Sequence, residues 1–155
     1  MLVDFDEISG GSRIWIYAST KRLTSNQQHY ILDSIAHHIK DWQSHQNPLK
    51  AAVKVLEDYF IIVALDESYE KASGCSIDAL QNNIQNIEKE LNISLLDRLN
   101  VYIVKNGEIE SIPLFKLKGS VDQDAFFYDL TINYKKDIET YLKPIKDGWC
   151  YNYLD

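Results

Sequence analysis

The chain has 155 residues, the length of one domain, and its 45% hydrophobic and 25% charged residues suit a globular protein rather than a disordered or fibrous one. A domain of that length buries a core without help from disulfides or metals. With 16 basic against 23 acidic side chains the formal charge is −7, and Lys21–Arg22 and Lys135–Lys136 are short pairs, not a basic stripe, so nucleic acid is not expected as a partner.

Residues 1–11 are acidic, lack the basic and apolar regions of a signal peptide, and read as a loose segment closed by Gly10–Gly11. Alternation from Arg13 to Ala18 gives a strand, with Ile14, Ile16 and Ala18 on one face and Trp15 and Tyr17 on the other. Thr24 followed by Gln27 is a capping-box start for a helix whose buried stripe is Ile31, Ile35, Ile39 and Trp42. That helix is expected to end near His45, because Pro48 disfavours helical geometry ahead of it. Lys50–Leu56 and Tyr59–Leu65 form a hairpin turning at Glu57–Asp58, and the unbroken apolar run Phe60–Leu65 indicates a central strand covered on both faces.

A second helix carries Ile77, Leu80, Ile84, Ile87 and Leu91 as its stripe and stops at Asn92. Asn106–Gly107 joins Asn100–Val104 to Ile109–Leu114 as a hairpin. Tyr134–Leu142 reads as helical, while Phe126–Ile132 fits helix, strand or loop.

The order β-α-β-β-α-β predicts an α+β fold of the ferredoxin-like, split β-α-β kind, an antiparallel sheet with both helices on one face. The chain is expected to be one domain over 1–155, with an α+β core at 12–118 and a C-terminal appendage at 119–155. The bare face is assigned to Trp15 and Tyr17. It needs a cover, either the aromatic-rich appendage or a second subunit in a homodimer.

No run of apolar residues approaches the roughly 20 that span a bilayer. Cys75 and Cys150, far apart in sequence, read as free thiols in the cytoplasm, although geometry decides whether they bridge. Gly10-Gly11-Ser12 lacks the lysine of a P-loop and precedes a strand, and there is no Gly-x-Gly-x-x-Gly, so P-loop ATPase activity is not expected. His38, Asp41 and His45 fall on one side of the first helix but lack further ligands, and no metal or cofactor is assigned.

Cys75 lies where the second helix begins. With Ser76 as N-cap, Cys75 would pack against Leu80 as a hydrophobic staple. A thiol at a helix N-terminus also suits a nucleophile, although Asp78 nearby opposes thiolate. Asp66 and Glu67 draw interest because they leave a buried strand. In a ferredoxin-like sheet Arg13 stands beside Asp66 and near Ser73, Gly74, Cys75, Ser76 and His45. That set is the candidate anion-binding site, and an Arg13–Asp66 ion pair is its plainer alternative.

The sequence resembles a family of short, uncharacterised Bacteroidetes proteins. The resemblance rests on Ser12–Tyr17, Pro48–Ala51, Asp66–Ser68, Ala72–Asp78, Leu96–Arg98 and Ile112–Leu114, covers about three quarters of the chain, and is loose after Gly119. Members often carry the label "ABC transporter ATPase", which a chain without a Walker A motif does not support, and the resemblance implies no catalytic residues. The expected function is that of a small binding or interaction module for an anionic small molecule or a protein. The alternative is an enzyme with Cys75 as its nucleophile.

Overall fold

The α+β class expected from the sequence is found in the computed structural model, which describes residues 1–155. By contacts the chain divides into two units, 1–96 with 133–136, and 97–132 with 137–155.

The first unit contains β1 (Arg13–Ala18), α1 (Ser25–Lys40), β2 (Gln43–Ser44), β3 (Asn47–Pro48), β4 (Ala51–Leu56), β5 (Phe60–Leu65) and α2 (Gly74–Leu91). Its antiparallel sheet runs β1-β5-β4, with every residue of the central β5 buried as its unbroken apolar run demands. Glu57 and Asp58 turn the β4–β5 hairpin at φ 58° and 60°. The Thr24–Gln27 capping box forms, and Asn92 closes α2 in the left-handed conformation.

Three expectations are corrected here. Helix α1 stops at Lys40, not near His45, because Trp42 turns back through its amide to Ile39. The chain then makes the β2–β3 hairpin, with His45 and Gln46 at φ 51° and 69°. Trp15 and Tyr17 face the helices, where Tyr17, Ile61, Val63 and Leu65 pack with Ile31, Ile35, Ile39, Trp42, Leu80 and Ile84. The opposite face is Ile14, Ile16, Ala18, Phe60, Ile62 and Ala64, and all of it is buried within the single chain. Residues 1–11 are not loose. Leu2 bridges Ala51 in parallel at the β4 edge, and Phe5 and Ile8 are buried. At the other edge, the Ile14 amide donates to the Asn133 carbonyl at 2.9 Å.

The second unit holds β6 (Asn100–Lys105), β7 (Glu108–Pro113), β8 (Phe126–Tyr128) and β9 (Leu142–Pro144), paired antiparallel in the order β7-β6-β8-β9. The Asn106–Gly107 hairpin forms as expected. Here the ferredoxin-like topology fails. It needs Asn100–Val104 as the fourth strand of the β1 sheet, whereas β6 pairs with β7 and β8 in a sheet of its own. By contacts the division of the chain falls after Leu96. The stretch expected to be helical at 134–142 is a 3-10 turn, Lys135–Thr140, leading into β9. Val101, Ile103, Ile112, Leu117, Phe127, Ile145, Cys150 and Leu154 form this unit's core. No helix of the chain is long and apolar enough to cross a membrane.

Candidate functional site

Two helix ends in the first unit build one groove. The last turn of α1 brings the basic residues His37, His38 and Lys40 to the negative end of the helix dipole, and Asp41 caps it. Trp42 then folds inward. Its indole N–H donates to the Ser76 carbonyl at 2.8 Å, and its ring meets Trp15 edge-on at 6.1 Å. This buried bond ties the end of α1 to the start of α2.

Helix α2 begins one turn earlier than a Ser76 cap would place it. Ser73 is the N-cap, its Oγ accepting from the Ser76 amide at 3.1 Å, while Ser76 Oγ accepts from the Ser73 amide at 2.7 Å. Ser76 is therefore buried inside the first turn, and Cys75 is exposed on it. That removes the staple reading for Cys75. The amides of Gly74 and Cys75 precede the first intrahelical bond, which runs from the Ile77 amide to the Ser73 carbonyl, and no acidic residue stands in that turn. Between the two helix ends lies an open depression of about 500 Å³, to which His38, Trp42, His45, Ser73 and Cys75 contribute.

The anion-site set expected from the sequence is thus brought together only in part. His45, Ser73, Cys75 and Ser76 line the depression, whereas Arg13, Asp66 and Gly74 do not. Arg13 does stand opposite Leu65, next in the chain to Asp66, as the antiparallel register requires. Yet its guanidinium lies 4.6 Å over the Trp15 ring. Asp66 turns instead to Ser68, accepting from its hydroxyl at 2.6 Å and its amide at 3.0 Å, with Lys50 at 3.8 Å. Those Ser68 hydrogen bonds, ahead of the lysine, hold the Asp66 carboxyl below its usual pKa. The plainer alternative, an Arg13–Asp66 pair, does not form either. A Cβ on Gly74 would meet nothing, so this glycine is not there to admit a close approach.

His37, Trp42 and Gln43 were not singled out as site residues, although they line the same depression. The sequence did carry one signal for it, His38 and Asp41 bordering Trp42 at helical spacing. His38, Asp41 and His45 all reach the groove, but no cluster of three or more such side chains is arranged to hold a metal ion. His38 packs on Trp42 with ring centres 5.7 Å apart, and burial, with His37 beside it, holds its pKa below 6.5.

Both cysteines are free, Cys75 exposed and Cys150 buried. Burial pushes the Cys150 thiol up in pKa and shields it. Titration of the native protein with an aromatic disulfide should therefore consume one thiol, Cys75, and the second only after denaturant is added. Simultaneous reaction of both would contradict the placement of Cys150.

Compared with known proteins, the chain matches no family model, no curated protein and no solved structure.

Proposed function

We propose that the protein is a small cytoplasmic binding module whose ligand is a small molecule with an anionic group, held in the groove between the end of α1 and the start of α2. One observation carries this reading: one depression is lined by Cys75, whose amide precedes the first intrahelical bond of α2, together with three histidines, His37, His38 and His45. Amides at a helix start and imidazoles are both donors toward negative charge. Asp41 is the opposing charge, and it favours ligands whose anionic group sits toward α2 and whose cationic or hydroxyl end sits toward α1. An exposed free thiol suits a reducing compartment.

The test is an amide-resolved NMR titration with inorganic phosphate and, separately, sulfate, at constant ionic strength. Saturable shifts at Gly74, Cys75 and the ring signals of His45 are expected, and their absence, or a response equal to that from chloride, would defeat the reading.

A second reading, Cys75 as a thiol nucleophile, is favoured by its exposure at the second position of α2 beside histidines. The variant C75S separates the two, since it should keep the phosphate shifts if the groove only binds.

A further inference from the structure

A second depression lies along α1 and α2, adjoining the first. It has a volume of about 440 Å³ and is lined by Tyr30, Asp33, Ser34, His37, His38 and Asn83. His37 and His38 belong to both depressions. His37 is exposed, whereas His38 is half-buried with its ring on Trp42. His38 is thus the more buried of the two side chains that the openings share.

His38 Nε2 is sealed from solvent and has no hydrogen-bond partner. That position suits a neutral imidazole with its proton on Nδ1, because Nε2 is then a lone acceptor and no donor is stranded. Adding a proton creates an N–H⁺ without an acceptor, and leaving a buried charged donor unpaired is expensive. The ring must then turn toward water.

We propose that His38 is a proton-operated gate: neutral, it rests on Trp42 and divides the groove in two, and protonated, it swings out and joins the depressions into one channel along α1 and α2. The groups facing it make the swing feasible. From α1 and its cap come Tyr30 and Asp33 on one side, Asp41 on the other and His37 in both, from the β2–β3 hairpin comes His45, and from α2 comes Cys75. A protonated ring that leaves Trp42 finds a carboxylate lining either opening, Asp33 in one and Asp41 in the other. The burial that lowers the His38 pKa places this change on the acid side of 6.5.

As regulation of ligand access the gate rests on the groove being the binding site, but its test does not. The experiment is an NMR pH titration of the full chain that follows the His38 ring nitrogens and the Trp42 indole N–H. Expected is a His38 midpoint below 6.5, a neutral form protonated on Nδ1, and a Trp42 shift with the same midpoint. That shift should vanish in H38Q and persist in H37Q. A Trp42 signal that stays still through the His38 midpoint, or that moves equally in H38Q, overturns the gate. A second arm repeats the phosphate titration above and below the midpoint. If Trp42 follows His38 while phosphate binds at neither pH, the gate stands and the binding reading falls. Phosphate binding that is equal on both sides of the midpoint overturns the gate's role in access.

Discussion

Replacing Gly148 by alanine is expected to destabilise the unit formed by 97–132 and 137–155 by about 1–3 kcal/mol, the usual cost of forcing an extra methyl group into a packed core. A Cβ at Gly148 would stand 2.1 Å from Phe127 Cζ and 2.4 Å from Cε1. Neither partner can step aside easily. Phe127 is fully buried on β8, paired with Ile103 of β6 on one side and Lys143 of β9 on the other. Gly148 is fixed by its amide to the Ile145 carbonyl at 3.0 Å, and its own carbonyl receives the Tyr151 amide at 3.3 Å. Its φ of −103° and ψ of 165° are open to any residue, so the penalty is steric and not conformational. The check is urea unfolding followed by amide exchange at Val101–Ile103. The double variant G148A/F127L should cost less than the sum of its parts, because the smaller side chain relieves the clash. Unchanged exchange in G148A would show that the ring and the glycine are not in contact.

What was legible in the sequence was local. Glu57–Asp58, Asn106–Gly107, the Thr24–Gln27 cap and the left-handed stop at Asn92 depend on residues a few positions apart, and each formed where expected. What failed depended on distant partners. Phe60–Leu65 is apolar on both sides, so nothing in it told which face met the helices, and Trp15 and Tyr17 were assigned to the wrong one. The strand Asn100–Lys105 has the same two-sided character in Val101–Val104. Its sheet was decided by Phe126–Tyr128, a stretch whose own structure was open until β6 and β9 were seen to flank it.

The candidate site was misread for smaller reasons. Ser73 and Ser76 lie three apart, and either can cap a helix. A Glu or Gln at the third position marks a capping box, but here a serine hydroxyl plays that part, reaching back to the Ser73 amide at 2.7 Å. The shift of one turn moved Cys75 from a packed position to an exposed one. At the other wall, Trp42 continues the helical spacing of Ile35 and Ile39 although it lies beyond the helix, so periodicity alone carried α1 too far.

Trp42→Ala is expected to cost about 3–5 kcal/mol, the range for truncating a large buried aromatic. Trp42 is 3% exposed and belongs to the main cluster of the first unit. Its removal takes away three kinds of contact together: the edge-on ring contact with Trp15, the support beneath His38, and the 2.8 Å hydrogen bond from its indole to the Ser76 carbonyl. The hydrogen bond separates from the rest by Trp42→Phe, which keeps an aromatic ring but no donor. A neutral hydrogen bond contributes about 1 kcal/mol net, so the phenylalanine variant should lose roughly that much, plus a smaller amount for lost ring area. Denaturant unfolding of both variants gives the two values. A further readout is specific to the site. Because the indole fixes the start of α2 against the end of α1, W42F should weaken the phosphate-induced shifts at Gly74 and Cys75 more than it lowers stability, while leaving β4–β5 amide exchange unaltered. Equal costs for W42A and W42F would mean that the ring's bulk contributes little, and that packing in the first unit does not depend on Trp42 as its burial requires.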